Sequence, residues 1–266
     1  FSSSKSIDET KISILGLIHQ FENREIAKTI ISSMDNPDLK FLDECTSTLI
    51  KVSKLYGLSD DELGQIKGVL RKLSKRAYQL HLFKSQLISI QNNILLIDHI
   101  GYDLKILKHI ILKLGTLEDP TVPIESYIRY IDNRDTDLLP LVLELVDTTF
   151  SNQSKSLVLP LIDPEMDPLS IASTILEKEE MSKKQMLRFW VENPHYWKTV
   201  IAIQFLISSG NDDVLRDIDW NQLPKDFLAG NYFSDKEKEY LSKIYMSNNF
   251  SNKESGNMFS VLEKTL

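Results

Sequence analysis

The stretch Asp60-Asp61-Glu62-Leu63-Gly64-Gln65-Ile66-Lys67-Gly68-Val69-Leu70-Arg71-Lys72-Leu73-Ser74-Lys75-Arg76-Ala77-Tyr78-Gln79-Leu80 decides the fold. Within it Leu63, Ile66, Leu70, Leu73, Ala77 and Leu80 recur at alternating spacings of three and four, which stacks them on one face of an α-helix and predicts a buried seam. Just ahead, Ser59 stands three residues before Glu62. At that spacing the hydroxyl accepts from the backbone N–H three residues on while the carboxylate reaches back to the serine N–H, satisfying two donors that a helix start leaves free. Ser6 with Glu9, Ser182 with Gln185 and Ser234 with Glu237 repeat the arrangement, each before a segment of helical periodicity.

Outward from this seam, the periodicity predicts helices over 7–20, 22–33, 39–56, 60–100, 103–114, 124–131 and 138–150. Further helices are expected over 169–180, 183–192, 195–208, 212–218 and 235–247. The 60–100 run is long for one globular helix, and Gln91-Asn92-Asn93 could break it into a helix pair. Gly57, Gly101, Gly115 ahead of Pro120 and Pro123, the polar run 132–137 and the hydroxyl-rich run 151–156 read as separators. Residues 157–162 could pass for a strand, but Pro160 argues against a central one. Short connections force consecutive helices to pack antiparallel. The expected fold is therefore all-α, an irregular array of antiparallel helical hairpins forming an α-solenoid or a helical bundle. It is expected as a single domain over 1–247, followed by a flexible tail over 248–266 in which Met258, Phe259, Val261 and Leu262 could make a short amphipathic turn.

With 266 residues, 42% hydrophobic and 26% charged, the chain has ample apolar material for a core. Cys45 is the single cysteine, so neither an internal disulfide nor a thiolate cluster for structural zinc can form, and a reducing compartment fits. No apolar run approaches the roughly 18–20 residues that span a bilayer, so no transmembrane segment is expected. His19, His81, His99, His109 and His195 form no HExxH and no i, i+4 pair. Asp98-His99 has no nucleophile elbow with it, and neither a Walker A loop nor a G-x-G-x-x-G turn is present. No catalytic, cofactor-binding or metal residue is assigned, and the expectation is a non-enzymatic binding protein without a cofactor.

The net charge of −7 hides an asymmetry. Residues 62–116 carry nine Lys or Arg against three acids, whereas 117–180 carry four against fourteen. In the basic block Lys67, Arg71 and Lys75 follow an i, i+4 row, with Lys72 and Arg76 in the adjacent row. If the Leu63 to Leu80 seam faces the core, these five cations project together as a surface for RNA phosphates or for an acidic protein partner. Tyr78 and His81 lie nearby and could stack on an unpaired base. The competing reading is a solvated face, or a basic helix packed against acids elsewhere in the same chain. In the acidic block, Asp163-Pro164-Glu165-Met166-Asp167-Pro168 reads as an ordered turn in which Asp167 caps the next helix. Trp190, Tyr196 and Trp197, beside Phe189 and around Asn193-Pro194, are candidate partner-binding aromatics; core filling at a helix corner is the alternative.

Two resemblances bear on setting. Phe1-Ser2-Ser3-Ser4-Lys5-Ser6, hydroxyl-rich with one basic residue and no acid before Asp8, resembles the residual end of a mitochondrial presequence. The hairpin rhythm is similar to degenerate fungal organellar helical-repeat proteins of the pentatricopeptide type. The likeness is one of texture, and no residue carries over from that family's consensus. It implies a mitochondrial factor in RNA maturation or translation, located in the matrix. The alternative is a protein-binding scaffold or assembly factor without RNA contact, in the cytoplasm or nucleus.

Overall fold

The structure, a computed structural model, describes residues 25–88, 94–119, 121–133, 137–177, 181–191, 196–218 and 232–249, with the isolated positions Ser13, Trp220 and Leu223. Among them are twelve α-helices and no strand. They are α1 (Ile26–Ser33), α2 (Leu39–Tyr56), α3 (Asp60–Ile88), α4 (Ile94–Gly115), α5 (Ile124–Asp132), α6 (Leu139–Thr149), α7 (Asn152–Ile162), α8 (Pro168–Leu176), α9 (Lys183–Val191), α10 (Tyr196–Ser208), α11 (Asp212–Arg216) and α12 (Asp235–Asn249). The all-α expectation holds.

Local chemistry sets the helix starts. Ser59 N–H donates to Glu62 Oε2 at 2.7 Å, and Glu62 N–H donates back to Ser59 Oγ at 3.4 Å. The same reciprocal bonds open α9 at Ser182 and Gln185, at 2.8 and 3.3 Å, and α12 at Ser234 and Glu237, at 2.7 and 3.4 Å. Ser6 with Glu9, like the helix expected over 7–20, lies outside the described residues. Asp38 starts α2 by accepting from Lys40 N–H at 2.8 Å, and Gly57 ends it at φ 69°, a left-handed turn that glycine adopts without strain. Each such cap stabilises its helix by about 0.5–2 kcal/mol.

The seam is buried: Ile66, Leu70, Leu73, Ala77 and Leu80 are at most 4% exposed, with Leu63 half-buried. The long run over 60–100 is two helices. The expected break at 91–93 lies outside the described residues, but α3 ends at Ile88 and α4 begins at Ile94. Gly101 is interior to α4 rather than a separator, a position a helix tolerates at about 1 kcal/mol. Gly115 closes α4 and is no loop glycine either; the Phe150 ring occupies the space its β-carbon would need, so the position is a close approach between elements. From Asn152 onward the hydroxyl-rich run at 151–156 is also helical. Ser151 caps α7 by accepting from Ser154 N–H at 3.4 Å, and Pro160 sits inside that helix without supplying an N–H to the turn before it.

The expected domain of 1–247 contains two compact units. The first comprises Phe1–Ser85 with Ile100–Glu180, and in it α1 packs on α2, α5 on α6, α6 on α7 and α7 on α8. Lys113, its side chain 8% exposed, ties three helices by reaching Asp43 at 3.0 Å and Ser47 at 3.2 Å on α2 and Glu125 at 3.4 Å on α5. Tyr78 on α3 donates its hydroxyl to the Leu157 carbonyl of α7 at 2.9 Å. Cys45, fully buried on α2, has its thiol pushed up to about 12 by burial, with Glu44 adding to the shift.

The second unit comprises Gln86–His99 with Met181–Leu266. Here α9 packs on α10 and α11, α10 on α11 and α11 on α12. Thr199 donates its hydroxyl to the Val191 carbonyl at the end of α9 at 3.0 Å, and Trp220 donates to the Leu215 carbonyl at 3.2 Å. The Tyr240 hydroxyl bonds Asp212, joining α12 to α11. The tail expected over 248–266 falls outside the described residues beyond Asn249.

Candidate functional site

The cationic strip lies on α3, off the apolar seam, and most of it is met by groups from distant parts of the first unit. Lys67 Nζ reaches Glu118 at 2.9 Å, and Lys72 pairs with Asp35. Arg76 donates to the Pro37 carbonyl at 2.9 Å. Burial pushes its guanidinium below the ordinary range, while Asp103 and Asp38 work to keep it charged. Lys75 is half-buried. Arg71 is exposed, with no hydrogen bond or ion pair among the described residues. The structure therefore assembles the five expected residues on one helix, but pairs Lys67 and Lys72 with surface acids, and Arg76 with a carbonyl, that sequence proximity does not reveal. Tyr78 is corrected outright: fully buried with its hydroxyl bonded, it offers no face for a base to stack on.

A second basic group was missed as a set. His81 and Lys84 on α3 and Lys108 on α4 influence one another's ionisation, and the two helices run antiparallel. Lys84 Nζ lies 3.7 Å from where a β-carbon would stand on Gly101, and toward the other end Lys67 meets Glu118. None of the three has a hydrogen bond or ion pair among the described residues, and His81 Nε2 is sealed from solvent without a partner. Burial, then Lys108 and Lys84, depress the imidazole to about 4 against the opposing pull of Asp167. Burial, then Lys84, lowers the Lys108 ammonium too. The signal available in the sequence was the three-residue step from His81 to Lys84; the contribution of Lys108 required the hairpin register.

Elsewhere in the first unit the basic side chains of α4 are paired. Asp132 takes Lys105 at 3.0 Å and His109 Nε2 at 2.8 Å. Burial works against ionisation of that carboxyl, but the bonds from Lys105 and His109 outweigh it and hold it below its usual range. The turn at 163–168 is ordered as expected. Asp163 accepts from Glu165 N–H at 2.9 Å, and Asp167 caps α8 by accepting from Leu169 N–H at 3.0 Å. A cavity of about 250 Å³ between α2 and the start of α5 is lined by Lys51, Lys54 and Glu125 and by no histidine.

Of the aromatic candidates in the second unit, Trp190 is corrected. It is 1% exposed, with His99 edge-on at 6.4 Å and Lys198 Nζ at 5.8 Å from its centroid, because α9 turns it into the core. Trp197 is 51% exposed and meets Tyr232 edge-on at 5.1 Å. Asn193-Pro194 and the Tyr196 side chain lie outside the described residues. Among the described residues no group of three metal-binding side chains occurs and no helix is long and apolar enough to cross a membrane. Compared with known proteins, the chain matches no family model, no curated protein and no solved structure.

Proposed function

We propose that the chain is a non-enzymatic helical scaffold that binds a protein partner, the aromatic surface at Trp197 being its principal contact. The observation that carries this reading is the exposure of an indole, 51%, on a helix whose neighbouring tryptophan, Trp190, is fully packed. Large exposed aromatics anchor protein interfaces out of proportion to their number. Lys67 and Lys72 are meanwhile engaged by carboxylates, and Arg76 is half-buried, which reduces the free charge that nucleic-acid binding draws on.

Affinity purification of the endogenous protein, with mass spectrometry and RNA sequencing on the same eluate, tests the reading. Recovery of a protein partner that Trp197→Ala loses supports it. Enrichment of RNA that Arg71→Glu/Lys72→Glu abolishes overturns it in favour of RNA binding by the strip. Fractionation tests the mitochondrial setting separately.

A further inference from the structure

The cavity between α2 and the start of α5 has two walls, both from the first unit. One is a face of α2 on which Ser47, Ile50, Lys51 and Lys54 recur at helical spacing. The other is the stretch 122–126, where Pro123 stands as the N-cap of α5 and offers no side-chain bond to the turn it opens. Lys113 of α4 holds the walls together, its Nζ lying 3.2 Å from Ser47 Oγ and 3.4 Å from Glu125 Oε1. The space between them, about 250 Å³, is partly open to solvent. Its lining is divided in character. Ile50, Val122, Pro123 and Ile124 are apolar, whereas Lys51 and Lys54 are exposed and hold no carboxylate among the described residues. Glu125, the acid on the lining, is engaged by Lys113, which also holds Asp43 at 3.0 Å. Three lysines thus meet two carboxylates here, and one positive charge is left in excess.

We propose that this cavity binds a small monocarboxylate with an apolar body, such as a short fatty acid or a single-ring acid. The match is one of charge, donors and size. A carboxylate brings one negative charge and two oxygens, one to receive each of the Lys51 and Lys54 ammonium groups. Its hydrocarbon part covers Ile50, Val122, Pro123 and Ile124 and removes that surface from water. A phosphate monoester approaches two charges near neutral pH, more than the excess here, and a neutral hydrocarbon leaves both lysines unanswered. Sites for drug-sized ligands run from roughly 300 to 1,000 Å³, so the smaller space suits a smaller molecule. The site lies in the first unit and does not depend on Trp197, which belongs to the second.

Calorimetric titration and thermal melting of the whole chain with hexanoate and with 3-phenylpropanoate, at matched ionic strength, test the assignment. Acetate and hexan-1-ol serve as the charged and the apolar halves of the ligand. For the wild type, saturable binding is expected with half-saturation at or below about 10 mM, together with a rise in the melting midpoint. From butanoate to hexanoate the affinity rises with each methylene, by up to about fourfold a step. Acetate and hexan-1-ol each bind at least about tenfold more weakly than hexanoate. Lys51→Gln and Lys54→Gln each weaken hexanoate by about threefold, and the double variant by about tenfold. Both side chains are exposed, so without ligand these variants melt as the wild type does, which separates loss of the site from loss of the fold. Lys72→Gln on α3 and Trp197→Ala bind hexanoate like the wild type. The proposal is overturned by an unresponsive wild type, by the double variant binding as tightly as the wild type, by Lys72→Gln losing as much affinity as it, or by acetate or hexan-1-ol binding as tightly as hexanoate.

Discussion

Along α3 the basic residues divide into two groups of opposite character. Between residues 67 and 76 Lys67, Lys72 and Arg76 are answered by Glu118, Asp35 and the Pro37 carbonyl, so charge there fastens distant segments onto the helix. Around His81 and Lys84, joined by Lys108, charge accumulates without an answering carboxylate in hydrogen-bond or ion-pair contact among the described residues. Two clusters of similar composition therefore serve different ends. The first fastens the folded chain; in the second, burial and like charge work against the protonated forms.

The largest test of this contrast uses the most thoroughly answered cation. Lys113→Ala should destabilise the chain by about 3 kcal/mol in urea unfolding, since it removes charge-assisted bonds to three groups on two other helices together with the packing of a buried stem. A loss under about 1 kcal/mol would show that paired charge contributes little even when buried.

Acid acts next, through the unanswered group. His81 has a pKa of about 4 in the folded chain and 6.5 as its ordinary value, so between these values the unfolded chain binds more protons. The stability associated with neutral His81 is complete above 6.5 and is lost as pH falls toward 4. Allowing for its partial exposure, roughly 2 kcal/mol is expected, read as the difference between the pH profiles of wild type and His81→Gln. Parallel profiles would place the imidazole in a less confined environment.

Arg76→Ala should cost about 1 kcal/mol, the loss of its charge-assisted bonds, that to Pro37 among them, offset by relief of a desolvated guanidinium. Lys72→Ala, at an ion pair whose side chains are 65% and 80% exposed, should fall within about 0.5 kcal/mol of wild type by the same denaturation measurement. If Lys72→Ala proved the more damaging of the two, the gradient from exposed to buried pairing along α3 would be wrong.

What the sequence made legible was local. The Leu63 to Leu80 seam, the boxes at Ser59, Ser182 and Ser234, and the Asp167 cap are each fixed by residues within a few positions of one another, and the structure reproduces them. Gly101 and Gly115 were misread because glycine signals a break only when nothing packs against it; at Gly115 the reason for glycine is the Phe150 ring, far along the chain. The 151–156 run failed similarly, since hydroxyl residues that look like loop also cap and enter helices, as Ser151 and Ser154 do. The candidate surfaces show the same limit. The strip's membership was readable at helical spacing, whereas its partners at 35, 37 and 118, and the joining of Lys108 to His81, depend on packing over long separations. Trp190 and Trp197 are alike in sequence, and only the rotation of α9 and α10 decides which is buried.

Cys45 turns these energetic differences into something a simple reagent can time. Its sulfur has no solvent exposure and its thiol is raised to about 12, so the nucleophilic thiolate is scarce while α2 stays packed. Because the chain has one cysteine, every adduct formed with a thiol-specific reagent reports the same event, the exposure of that one position. The labelling rate in native buffer is thus an internal clock for opening of the first unit, calibrated without an added probe.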